Sequence, residues 1–231
     1  MGKFFGEISS RLLARHGYDG NPWAMSFAER LGLAAILSDR RPKVAIEIGT
    51  LSGGSLSVIA HYAEKVYSID LNPDCAQRLG AQFPNVEFLT GDSSQLLPPL
   101  LHRLRDEEIG FILIDGDHSE TGVLRDILAV LDYRPRGDLF ILMHDSFNPD
   151  CRRAMKSVDW ASYPQVHWVD FDFIPGFVNS VAGWEDEMWC GFALAYLRAE
   201  GRDGPLEFDE LLGRQFERFL PLSKHAPQTG A

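Results

Sequence analysis

Two short stretches carry the residue types that could do chemistry. One reads Ile114-Asp115-Gly116-Asp117-His118 and the other Met143-His144-Asp145-Ser146-Phe147-Asn148. Each follows an almost continuous apolar run, F-I-L-I before Asp115 and L-F-I-L-M before His144. Runs of this kind suit strands buried on both faces. As neighbours in a parallel sheet, these strands would bring Asp115 and Asp145 out at one edge. Two carboxylates and an imidazole gathered there form a donor set for a divalent cation. Asn148 offers another oxygen nearby. The plainer alternative is that Asp117 and Asp145 cap loops and His118 opens a helix.

A second stretch, Val44 to Ser57, reads V-A-I-E-I-G-T-L-S-G-G-S-L-S. A short buried strand, a tight glycine turn and a helix start fit this order. In an open α/β sheet such a turn lies at the carboxyl end of a strand, where ligands bind. Gly49 and Gly53 do not have the G-x-G-x-x-G spacing of a dinucleotide fingerprint. Thr50, Ser52 and Ser55 supply small hydroxyls around the glycines. Glu47 lies inside the apolar strand and needs a hydrogen-bonding or cationic partner there. Asp70 ends the next strand, where a carboxylate can accept both hydroxyls of a ribose. Asp92 and Ser93 end a third strand, placed to hold a base edge. Each acid taken singly has a plain alternative as a cap or a solvated loop residue.

The elements that would position these residues alternate. Helical stripes are expected over 3–15, on Phe4, Phe5, Ile8, Leu12 and Leu13, and from Phe27, where Ser26 and Glu29 have capping-box spacing. Strands are expected at 44–48, 66–70, 86–90, 111–115 and 139–144. Helices are expected from Asn72-Pro73 to Gln82, over 97–105 despite Pro98 and Pro99, over 119–131 and over 151–158. Two further strands, 166–173 and 188–197, are joined by a loop too short for a long helix and read as an antiparallel pair closing one edge. Phe208, Leu211, Leu212, Phe216 and Phe219 mark a last amphipathic helix. The fold class is therefore α/β, a Rossmann-like doubly wound sheet of about seven strands, mostly parallel with an antiparallel final hairpin. A single domain is expected over 1–231, with a helical extension at 1–41, the core at 42–197 and a helix and tail at 198–231.

Net charge is −11, which weighs against nucleic-acid or anionic-membrane partners, since both favour clustered Lys and Arg. No stretch approaches the ~18 apolar residues of a membrane span. The three cysteines, Cys75, Cys151 and Cys190, are dispersed and unpaired in spacing, which suits a reducing compartment. The N-terminus lacks the apolar core of a signal peptide. A cytoplasmic protein acting on a small molecule, able to form a homo-oligomer, is the expectation.

Glu47-Ile48-Gly49-Thr50-Leu51-Ser52-Gly53, Asp70 and Gly91-Asp92-Ser93 together resemble the first three motifs of class I S-adenosylmethionine-dependent methyltransferases. The resemblance covers about residues 26–197, closing hairpin included. It implies S-adenosylmethionine as cofactor, held by Glu47, Gly49, Thr50, Ser52, Gly53, Ser55, Asp70, Asp92, Ser93 and Asp115. The Asp-x-x-His segment and the pair ending the next strand resemble metal-dependent O-methyltransferases of the macrocin and mycinamicin type and the cephalosporin-hydroxylase-like family. That resemblance implies Asp115 as a ligand of Mg²⁺ or Mn²⁺, His118 as general base, and His144 and Asp145 in the positions of an acidic pair. His144 departs from the usual Glu, and imidazole suits manganese, iron or zinc better than magnesium. The expected reaction is methylation of a sugar or small-molecule hydroxyl, the acceptor lying under the N-terminal helix and the loop 174–187. The alternatives are a non-catalytic binding protein of the same fold, an NAD-dependent oxidoreductase, and transfer to nitrogen or a carboxylate.

Overall fold

Val44–Ile48 (β1) is buried along its whole length and lies in the middle of the main sheet. The computed structural model describes residues 10–18, 20–208 and 215–226. β1 pairs in parallel with Lys65–Asp70 (β2) and with Ile109–Ile114 (β4). Val86–Thr90 (β3) extends the sheet beyond β2, and Leu139–His144 (β5) extends it beyond β4. Phe192–Leu197 (β9) then runs antiparallel between β5 and Val166–Ile174 (β6). Glu207–Phe208 (β10) pairs in parallel with the outer edge of β6. The order β10-β6-β9-β5-β4-β1-β2-β3 reverses direction between β1 and β4, which is where ligands sit in open sheets.

The alternation of side chains explains the two covered faces. Ile46, Ile48, Ile112, Ile114, Ile141 and Met143 form one core with helices Ser93–Arg103 (α4), Glu120–Leu131 (α5) and Pro149–Ser157 (α6). Ala45, Phe111, Leu113, Leu142, Phe192 and Leu194 form the other with Phe27–Arg40 (α1) and Gly54–Tyr62 (α2). The same parity puts Glu47 on the α2 face and His144 on the α1 face.

The expected elements are present with several corrections. Among the described residues the main sheet has eight strands, and a separate two-stranded sheet joins Phe177–Val178 (β7) to Met188–Trp189 (β8). The expected strand 188–197 is thus broken at Cys190-Gly191, where both residues have positive φ. Its second half lies inside the sheet, and the edge belongs to β10. Phe208 is therefore a strand residue and not part of a final helix. The last described helix is Gln215–Phe219 (α7); Leu211 and Leu212 lie outside the described residues. Helix α4 starts at Ser93, earlier than the prolines suggested, because Asp92 caps it by accepting the Ser94 amide at 2.8 Å. The helix opened by Asn72, Asp74–Leu79 (α3), stops short of Gln82. Residues 10–14 are helical, with Leu13 buried, whereas Phe4, Phe5 and Ile8 lie outside the described residues. No helix among the described residues is long and apolar enough to cross a membrane.

Two features hold the glycine turn in place. Gly49, at φ 91°, lies so close to β4 that a Cβ there would stand 2.0 Å from the Asp115 carbonyl oxygen. Glu47 is fully buried and accepts the Ser55 hydroxyl at 2.7 Å and the Ser68 hydroxyl at 3.0 Å. Burial raises its carboxyl to about 8, against the opposing pull of those hydroxyls. Between the ordinary Glu value and about 8, the unfolded chain has lost this proton and the folded chain keeps it, so stability falls as pH rises.

Gly49→Ala is expected to cost about 2 kcal/mol or more in urea unfolding, from clash and strain together. Gly20→Ala, also at positive φ but with nothing within 4 Å, should cost only about 1–2 kcal/mol; equal losses would refute the close approach. The stability of wild type relative to Glu47→Gln should decline from about pH 5 to about pH 8; parallel curves would show that Glu47 does not hold its proton.

Candidate active site

At the β1 turn, Asp70, expected to accept ribose hydroxyls, accepts backbone amides of the loop. Its Oδ2 accepts the Thr50 and Leu51 amides at 2.8 and 2.9 Å, and its Oδ1 accepts the Asn72 amide at 2.7 Å. Oδ1 keeps capacity for a second donor. Leu51 has φ 45°, and Arg78 and Cys75 hold its carbonyl at 2.8 and 3.4 Å. A bulky residue at positive φ persists only where its neighbours over-determine it. Below the turn, Glu47, Ser55, Ser68 and Thr50 form one hydrogen-bonded brace.

Two cavities open along the carboxyl ends of the strands. One of about 430 Å³ is lined by Leu71, Gly91, Asp92, Ser93 and Arg125. The other, of about 700 Å³, is lined by Leu51, Asp115, His144, Asp145 and the β7–β8 segment. They share Gly49, Asp70, Gly116 and His118, so they form one groove crossing the reversal point of the sheet. Glu47, Thr50, Ser52, Gly53 and Ser55 are not among the lining residues of either cavity. Ser93 lines the smaller cavity but spends its hydroxyl on buried Asp126, at 2.8 and 3.1 Å from the two carboxyl oxygens. Burial raises Asp126 to about 6. Asp92 is solvent-facing, held below the usual carboxylate range by Ser94, with Arg125 3.5 Å away.

The β4 and β5 ends converge as neighbouring parallel strands require. His144 Nδ1 stands 2.8 Å from Asp115 Oδ1 and 3.3 Å from Asp145 Oδ2. His118 Nε2 stands 3.2 Å from that same Asp145 oxygen and 3.5 Å from Asp115 Oδ1. Burial would lower the pKa of His144, but Asp115 and Asp145 reverse this and raise it well above the ordinary value. Burial likewise pushes Asp115 up, and His144 and His118 more than offset it, leaving it below its ordinary value. His118 is raised by its hydrogen bond to Asp115, against burial. The His118 side chain is 43% exposed and packs edge-on against Trp189 at 5.6 Å.

Backbone strain collects at this point. Asp145 and Cys190 have φ 55° and 64°, and the Cys190 amide donates to Asp145 Oδ1 at 2.7 Å. The Ser146 and Phe147 amides donate back to the Gly191 and Cys190 carbonyls at 3.2 and 3.0 Å. Non-glycine residues in the left-handed region each cost about 1–3 kcal/mol and cluster at functional sites. From this clamp the β7–β8 segment rises over the larger cavity with Phe177, Trp184 and Trp189 on its wall. The loop 174–187 thus contributes Phe177, Asn179, Val181 and Trp184 to the cavity lining, whereas the described part of the expected 3–15 helix contributes none. Ala24 is the lining residue from the N-terminal segment.

Ligand atoms of Asp115, His144 and Asp145 all lie within 4.8 Å of one another. Two carboxylate oxygens and one imidazole nitrogen facing a cavity fit a divalent cation, with the mixed set favouring Mn²⁺, Fe²⁺ or Zn²⁺ over Mg²⁺. Asn148 does not join them: its Oδ1 caps α6 by accepting the Asp150 and Cys151 amides at 2.9 and 3.4 Å. Asp117 likewise accepts the Ser119 amide at 2.8 Å. Sequence reasoning missed Glu29 and Cys190, which form a second group with the far side of His144. The capping-box spacing flagged Glu29, and strand parity pointed His144 toward the same face, but neither marks a site residue alone.

Residues 46–146 match a family model described as a methyltransferase domain. Rhamnosyl O-methyltransferases of Mycobacterium tuberculosis and Mycobacterium bovis are 26% identical over 137 residues, 55% of this chain and 56% of theirs. The chain thus spans about half the length of the curated relatives it matches. An O-methyltransferase from Bacillus cereus in complex with S-adenosylhomocysteine superposes with a TM-score of 0.56 at 17% identity, over 86% of this chain and 92% of its own. The O-methyltransferase TomG from Streptomyces achromogenes, involved in tomaymycin synthesis and bound to S-adenosylmethionine, gives 0.56 at 15%, over 87% and 91%. At these identities the structures speak for the fold. With the glycine turn and the ordered acids at the strand ends, the chain has the fold of these methyltransferases, and its segment 46–146 is similar to a methyltransferase domain.

Proposed function

We propose that the chain transfers a methyl group from S-adenosylmethionine to a hydroxyl of a sugar or other small molecule, with His118 as base and a divalent cation in attendance. The observation that carries this is one groove with a nucleoside-sized end at Asp92 and an acid–imidazole cluster at the other. The proposal takes residues 1–231 as one domain, with 1–41 and 198–231 flanking the core. When bound, S-adenosylmethionine supplies an electrophilic methyl, and a cation lowers the pKa of the acceptor hydroxyl. Asp115, His144 and Asp145 are the residues to hold the cation. Gly49, Asp70, Gly91 and Asp92 are those to hold the nucleoside.

His118 stands on the wall common to both ends, half-exposed, with its ring steadied by Trp189 and its Nε2 turned to Asp145. It is placed to take the acceptor proton, a role worth about 10²–10⁴ in rate. The rest of the task is orientation, which the strained clamp at Asp145 and Cys190 favours by fixing its side chains. Aromatic faces at Phe177 and Trp184 suit a sugar ring, and the name of the matched relatives, rhamnosyl O-methyltransferase, supports that choice.

Calorimetry should detect S-adenosylhomocysteine and not NAD. His118→Ala should keep that affinity while turnover on a sugar acceptor falls about 10²–10⁴-fold; wild-type turnover would remove the base assignment. Asp145→Asn, tolerant of the left-handed backbone, should abolish activation by Mn²⁺. An enzyme indifferent to chelator from the start would sink the cation instead.

A further inference from the structure

Glu29 does more than a capping box requires. Its Oε2 accepts the Ser26 amide at 2.5 Å, and Ser26 Oγ accepts the Glu29 amide at 3.3 Å, which completes the box. Its Oε1 is turned the other way. There it accepts the Gly191 amide at 2.7 Å and lies 2.9 Å from His144 Nε2, an ion-pair contact off the line of a well-directed hydrogen bond. The side chain is wholly buried. One carboxylate therefore ties the start of α1 to the break between β8 and β9 and to the end of β5.

The imidazole of His144 is held on three sides. Nε2 faces Glu29, Nδ1 faces Asp115 and Asp145, and the ring lies edge-on to Phe192 at 5.3 Å. A ligand imidazole is oriented by what its other nitrogen meets, usually a carboxylate or a carbonyl, and removing that partner typically weakens metal binding 10–100-fold. We propose that Glu29 is the positioning residue of this site: it engages His144 Nε2 and so presents Nδ1 to the Asp115–Asp145 side of the cavity. The N-terminal helix is then a working part of the site, not a flanking extension. The consequence for cation affinity rests on the cation reading above; the orientation of the ring does not.

The test compares wild type with Glu29→Ala, Glu29→Asp and Ser26→Ala. His144 ring ¹⁵N signals are read by NMR, identified by their loss in His144→Gln, and Mn²⁺ affinity is read by EPR. S-adenosylhomocysteine affinity serves as the check on folding. Glu29→Ala should displace the ring signals and weaken Mn²⁺ binding about 10–100-fold. Glu29→Asp, which keeps the charge but shortens its reach, should displace them too and decides the matter if the alanine variant does not fold. Ser26→Ala should lower Tm through the lost cap and leave both readouts where they are. Unmoved ring signals in folded Glu29→Ala or Glu29→Asp would overturn the assignment. So would Ser26→Ala moving them as far, since the effect would then be that of the helix start alone. Should wild type bind no Mn²⁺, the cation reading falls, and the ring signals alone decide the role of Glu29.

Discussion

Carboxylates that stay ionised when buried side by side need positive charge among them. Around His144 the chain gathers Glu29, Asp115 and Asp145, all of low exposure, and sets the imidazole between them. The result is visible in opposed shifts: the ring is raised and Asp115 is lowered, each by the other. Removing one partner of such a set leaves an uncompensated buried charge, a loss of about 3–5 kcal/mol in comparable pairs. The same carboxylates, with His144, have the donor types that a divalent cation takes. The charge demand that organises the fold at this end is thus the same demand that makes the cluster a candidate site.

The rest of the sheet is arranged to bring that cluster to the groove. Gly49 lets the β1 turn lie against the Asp115 carbonyl, which joins the glycine turn to the acid end of β4. Asp70 stiffens the turn through amides of its own loop, and the Glu47 brace supports it from beneath. On the other side, Asp145 and Cys190 accept left-handed backbone so that β5 and the β8–β9 break can exchange hydrogen bonds. Strain of this kind is retained where geometry matters more than stability.

Much of the architecture could be read along the chain. The apolar runs of β4 and β5 mark strands covered on both faces, and Asp115, His118, His144 and Asp145 follow from where those runs end. The errors have local causes. Pro98 and Pro99 outweighed the Asp92 cap in placing α4, although the cap sets where the helix begins. The apolar run 188–197 hid a break whose local signal was Gly191 alone, since Cys190 beside it has no propensity for positive φ. Asn148 looked like a ligand because its type suits one, whereas the helix it opens had first claim on its oxygen.

By itself the sequence determined the strand–helix alternation, the glycine turn and the order of acids along the chain, because burial periodicity and backbone-restricted residues are local properties. It also placed Asp115 and Asp145 together, since parallel neighbours share an edge. Only the tertiary structure decided what stands opposite them. Glu29 comes from a helix far upstream, yet reaches His144 and Gly191 across packed elements. Which carboxylates line a cavity and which brace its wall, as Asp70 and Glu47 divide the task, depends on packing depth that residue type does not encode. Partners separated by more than a hundred positions meet through the sheet order, and that order is a property of the whole fold.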